Sequence, residues 1–154
     1  MTANLSLRRA VGQIYQGVKV ETTTNPIADG DLFNIVGGRV LLLDLMGLVT
    51  VDLEVAACTL ELDFDADFGG DVALTVASAD FTGDLVGTMY LMPAAIGGAL
   101  TVPAGGAYLR LFPTLGVVLS AGHIELDASA AITGGIKWTA WYIPLDDEAY
   151  MEAA

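Results

Sequence analysis

Five acidic residues stand close together: Glu61, Asp63, Asp65, Asp67 and Asp71. Carboxylates are hard-cation ligands, and Asp63-x-Asp65-x-Asp67 matches the opening of an EF-hand calcium loop. The match then fails. Phe68 stands where that loop needs glycine, and Leu74 where it needs a bidentate glutamate. On a strand, alternate acids also lie roughly 6–7 Å apart, too far for one ion to hold them all. The row therefore reads first as a solvated face, then as a contact for a basic partner, and last as a metal site. No metal ligand set is expected.

Other chemistries fare no better. A Ser/His/Asp hydrolase needs a nucleophile, a base and an orienting acid. His123 is the one histidine, with Ser120 and Asp127 near it in sequence. All three share one short segment without a G-x-S-x-G elbow, so His123 reads as a strand-entry residue. Paired carboxylates for glycoside hydrolysis could be drawn from the 19 acids, but such sites are lined by aromatic platforms. Gly97-Gly98 and Gly105-Gly106 lack the basic neighbours of a phosphate site. Cys58, the one cysteine, sits among apolar residues and reads as a buried thiol. No catalytic residue and no cofactor are expected.

The elements that carry these residues read as strands. Thr59–Phe68 alternates throughout: Leu60, Leu62, Phe64, Ala66 and Phe68 fall on one face, Glu61, Asp63, Asp65 and Asp67 on the other. Leu48–Val55 alternates too. Arg39–Met46 is strongly apolar, as in a strand buried on both faces, with Gly47 as its breaker. Asp71–Ala77, Val86–Met92, Leu100–Val102, Tyr108–Phe112, Gly116–Ser120, His123–Ser129 and Ile136–Ile143 complete a set of short strands. Trp138 and Trp141 lie three apart in the last, so one faces the core and the other a surface or interface. Turn signals recur every 8–12 residues or so, the pattern of an all-β sandwich, jelly roll or barrel. The expected plan is an N-terminal arm over residues 1–20, a β-domain over 21–147 and an acidic tail over 148–154. Thr22–Asp31 reads as a turn-rich connector.

Composition sets the outer limits. The chain has 154 residues, enough for one domain with a sizeable core. Hydrophobic residues make up 54% and charged residues 16%, and the mean hydropathy is +0.59. Apolar runs are broken well before the ~20 residues of a spanning helix. The surplus apolar surface points instead to burial between subunits, in Ala94–Gly106 or Tyr108–Phe112. The net charge is −13. That argues against nucleic acid and anionic membrane as partners, and for basic partners or solubility. Arg8, Arg9 and Lys19, half of the basic residues, lie within the first 19 positions.

Two stretches carry a resemblance: LFNIVGGRVLLLDLMGLVT from Leu32, and AGHIELDASAAITGGIKWTAWYIPLDD from Ala121. The most specific pieces are Leu32-Phe33, Gly37-Gly38, Thr133-Gly134, Lys137-Trp138 and Pro144-Leu145. Together with the small-residue middle, this pattern resembles a family of small structural proteins of tailed bacteriophages. Its members are candidates for head decoration (cement) proteins. The resemblance implies a non-enzymatic virion protein on the capsid exterior, bound to the major capsid protein and to itself as a homotrimer. It implies no catalytic residues. A tail- or fibre-associated protein that binds a host surface is the alternative. On this reading Arg8, Arg9 and Lys19 of the arm, with Tyr108 and Trp138, are the expected contacts to shell and subunits.

Overall fold

The computed structural model describes residues 17–103 and 116–154. Arg8, Arg9 and Tyr108, the rest of the arm before Gly17, and the strand expected at Tyr108–Phe112 lie outside them. The described residues form twelve strands, β1 (Val18–Thr24) to β12 (Tyr150–Ala153), and no helix.

Two antiparallel sheets make a sandwich, as the alternation predicts. Sheet 1 runs β1–β11–β3, with β11 spanning Gly135–Pro144 and β3 spanning Val40–Val51. The far edge of β3 is shared: β9 (Val117–Leu119) pairs with Val40–Leu42, and β7 (Met89–Leu91) with Met46–Leu48. Sheet 2 runs β12–β2–β10–β4–β5, where β2 is Gly30–Val36, β10 Gly122–Ala128, β4 Leu60–Ala66 and β5 Val72–Ala73. A short parallel ribbon, β6 (Thr75–Val76) with β8 (Gly98–Ala99), continues from β5. A bridge between Leu91 and Thr101 ties it back to sheet 1. The sheets stay separate, so the barrel alternative gives way to a sandwich.

The core lies between the sheets. Leu60, Leu62 and Phe64 of β4 and Ile124 and Leu126 of β10 meet Leu42, Leu45, Val49, Ile136, Trp138 and Tyr142 from sheet 1, all buried. Cys58 is buried as expected, its Sγ donating to the Ala130 carbonyl at 3.3 Å. The Tyr90 hydroxyl donates to Asp84 Oδ2 at 2.7 Å. Burial, and then that carboxylate, push its pKa far upward.

Several boundaries differ from expectation. Gly47 does not break its strand. It sits opposite Trp138 in the β3–β11 register, and a Cβ there would lie 2.9 Å from the indole. The glycine makes room for a large ring across the sheet. The connector keeps its expected turn over residues 25–29, but its two ends are strand, residues 22–24 in β1 and 30–31 in β2. β1 forms because β11 offers a continuous partner from Ile136 to Tyr142. The acidic tail is strand as well, since β12 pairs with β2. Arg39 holds it in place. Its Nε and Nη2 donate to Asp146 at 3.0 and 2.8 Å, and its backbone N–H donates at 2.7 Å. Beside it, Gly37 has φ +79, and a Cβ there would fall 2.2 Å from the Glu148 carbonyl oxygen. Phe68 is 94% exposed rather than core. β4 ends at Ala66, so the alternation that placed Phe68 inward no longer applies there.

Candidate functional site

The acid row is the largest concentration of ionisable side chains among the described residues, and the fold enlarges it. β4 turns Leu60, Leu62 and Phe64 inward, which sends Glu61, Asp63 and Asp65 outward. β10 lies beside it with the same alternation, presenting His123, Glu125 and Asp127. The antiparallel register sets like against like at two positions, Glu61 opposite Asp127 and Asp63 opposite Glu125, and places Asp65 opposite His123. On the other side of β10, Glu125 faces Asp31 and His123 faces Asn34. Five acids from β4 and β10 that look separate in sequence thus share one sheet face with Asp31.

Crowding shows in their proton affinities. Glu61 is raised above its ordinary value by lost hydration first, then by Asp63 and Asp127. Asp63 is raised by lost hydration, then by Asp127 and Asp71. Asp65 is raised by a hydrogen bond shared with the Asp71 side chain, then by lost hydration. Glu125 is raised by lost hydration, then by a hydrogen bond with Asp31. A carboxylate that shares a proton or loses water binds its proton more tightly.

Geometry decides what this face can do. Successive acids stand along strands and across them without converging, and among the described residues no group of three or more His, Cys, Asp or Glu is placed to hold a metal ion. His123 Nδ1 lies 2.8 Å from Asn34 Oδ1 and 3.7 Å from Asp31 Oδ2. Its partners therefore come from β2, while Ser120 Oγ turns to the Ala121 carbonyl. The face is an electrostatic surface, suited to a basic partner or to water.

The expected contact residues scatter. Lys19 is on β1 and exposed, with Nζ 3.1 Å from Glu21, and Lys137 reaches the same carboxylate at 3.5 Å. Trp138 has no exposed surface, and its Nε1 donates to Thr24 Oγ1 at 3.2 Å. It is a core residue and offers nothing to a partner. Trp141 is the outward member of the pair, as the three-residue spacing requires. No family model, curated protein or solved structure matches the chain. Sequence reasoning found the row on β4 but missed that β10 and β2 extend it. The alternation of His123, Glu125 and Asp127 in β10 was the available signal.

Proposed function

We propose that this chain is a non-enzymatic structural protein of a tailed-phage virion, a decoration protein on the capsid exterior bound to the major capsid protein. One observation supports this reading best. The two outer faces of the sandwich differ in kind: sheet 2 presents carboxylates, and sheet 1 presents half-buried apolar side chains. Such a body suits a place where one side meets protein and the other meets water. The acidic face is at ease on a shell exterior, away from packaged nucleic acid, because like charge repels it from phosphate. The sequence resemblance supplies the virion and the shell; the expected homotrimer belongs to the same proposal.

The test is attachment to purified capsids that lack the protein. Saturable binding, with a copy number close to that of the shell subunits, supports a decoration role. A few copies at the tail or fibres would replace it with host-surface binding. No binding to any part of the particle would refute both.

A further inference from the structure

Where β3 runs out at Val51, the chain turns aliphatic side chains to water. Val55, Leu85 and Val86 are 84%, 66% and 60% exposed, so the fold gains little from them and leaves them open. Backbone bonds lay residues 83–88 along residues 49–55. Gly83 N–H donates to the Glu54 carbonyl at 3.2 Å, Leu53 N–H to the Asp84 carbonyl at 2.9 Å, and Gly87 N–H to the Val49 carbonyl at 2.9 Å. Gly83 also lies against Val55: a Cβ on it would fall 3.4 Å from Val55 Cγ2. The three aliphatic residues therefore share one tip of the sandwich. Single exposed aliphatics are ordinary, but a group of them rimmed by polar residues marks an interaction site.

Three carboxylates fasten the tip and form its rim. Asp52 Oδ1 accepts from the Val86 N–H at 2.8 Å. Glu54 Oε2 accepts from the Thr133 N–H and hydroxyl at 3.0 and 3.1 Å. Asp84 Oδ2 takes the Tyr90 hydroxyl. A tip held this way has little freedom left to lose on binding. Every partner of these carboxylates is a neutral group. Among the described residues the cations lie elsewhere: Lys19 and Lys137 at Glu21, Arg39 at Asp146, and His123 beside Asp31. That selects the occupant. A second copy would bring the same acids to the contact, and an anionic bilayer would be repelled. A protein surface whose basic side chains ring an apolar pocket would match both the aliphatic centre and the acidic rim.

We propose that this tip docks onto a protein surface that offers an apolar pocket ringed by Lys or Arg, with Val55, Leu85 and Val86 entering the pocket. This deepens the proposed function by naming the part of the chain that meets the shell, and it rests on that reading for the shell subunit as the partner.

The experiment titrates the full chain onto purified capsids that lack it. Val55→Ser and Leu85→Ser should each weaken attachment by about tenfold or more. Phe68→Ser, which removes an exposed apolar side chain on the β4–β5 turn, should leave it unchanged. Glu54→Gln and Asp84→Asn keep an acceptor oxygen for Thr133 and Tyr90 but remove charge, and each should weaken attachment several-fold. Circular dichroism checks folding, and Val55→Thr and Leu85→Gln replace any serine variant that misfolds. Attachment unchanged in the serine variants overturns the proposal and leaves the decoration role standing. Attachment unchanged in Glu54→Gln and Asp84→Asn overturns the basic ring, and an equal loss in Phe68→Ser overturns the assignment to this tip. A wild type that never attaches removes the decoration role and this contact together. Wild-type binding to phosphatidylcholine vesicles that is lost in the serine variants overturns the protein partner and assigns the tip to a bilayer.

Discussion

Asp63→Asn should stabilise the protein. Asp63 stands directly opposite Glu125, with Asp127 and Asp71 as further acidic neighbours. Two unit charges about 5 Å apart repel by roughly 0.8 kcal/mol in a water-like dielectric. Directly opposed strand pairs are worth roughly 0.2–1 kcal/mol in measured sheets. Salt trims the first figure, and the more distant acids restore part of it. The expected gain is about 0.5–1 kcal/mol at neutral pH. In urea, with a slope of about 2 kcal/mol per molar, the midpoint should rise by about 0.3–0.5 M. The gain should shrink in about 1 M salt. It should vanish near pH 3, where the wild-type carboxyl is itself protonated. A loss of stability, or a gain that persists at pH 3, would refute the reasoning, because either outcome assigns Asp63 a packing or hydrogen-bonding role.

Four further outcomes are expected. Phe64→Ala should cost about 3–5 kcal/mol by leaving a cavity, whereas Phe68→Ala should stay within about 0.5 kcal/mol; equal losses in chemical denaturation would show that the hairpin is placed wrongly. Gly47→Ala should cost about 1–3 kcal/mol by pressing on Trp138, with a change in tryptophan fluorescence. Deleting residues 150–154 should destabilise the domain by removing β12 from β2, and a truncated protein with unchanged melting would mean that this segment is a passive tail. Glu61, Asp63, Asp65 and Glu125 have raised folded pKa values, so the stability they give is present at low pH and lost as pH rises through those values. Asp146, held by Arg39 at about 2, acts oppositely and loses its contribution as pH falls towards that value. Denaturation midpoints should therefore be higher at about pH 5 than at about pH 8, and a flat or reversed profile would contradict the crowding of the acidic face.

Legibility followed the range of the interactions. The β4 strand could be read from its own residues, because period-two alternation is local and one face is buried. β10 and β11 emerged for the same reason. Gly47 misled because glycine reads locally as a breaker, while its reason lies across the sheet in Trp138. β1 was missed although its valines and threonines favour strand, because the Asn25-Pro26 and Asp29-Gly30 breakers dominated the reading beside it. β12, Tyr-Met-Glu-Ala, has little strand character alone and forms by pairing with β2. The acidic site was half legible: β4 displayed its row, but the paired acids on β10 and β2 depend on register, which no single strand encodes. Trp138 could not be told from Trp141 by spacing, which says that the two differ but not which one faces inward.

The pairing of β1 with β11 has a consequence for the order of events in synthesis. Thr24 receives its bond from Trp138, 114 positions later. β2 likewise finds both partners, β10 and β12, in the last third of the chain. During translation these early strands must wait, carrying open hydrogen-bonding edges, until that last third has emerged. Long-range pairing of this kind is slow and exposes sticky intermediates. The polar make-up of β1, Val-Lys-Val-Glu-Thr-Thr-Thr, suits that interval, since a charged and threonine-rich edge resists premature pairing with other nascent chains.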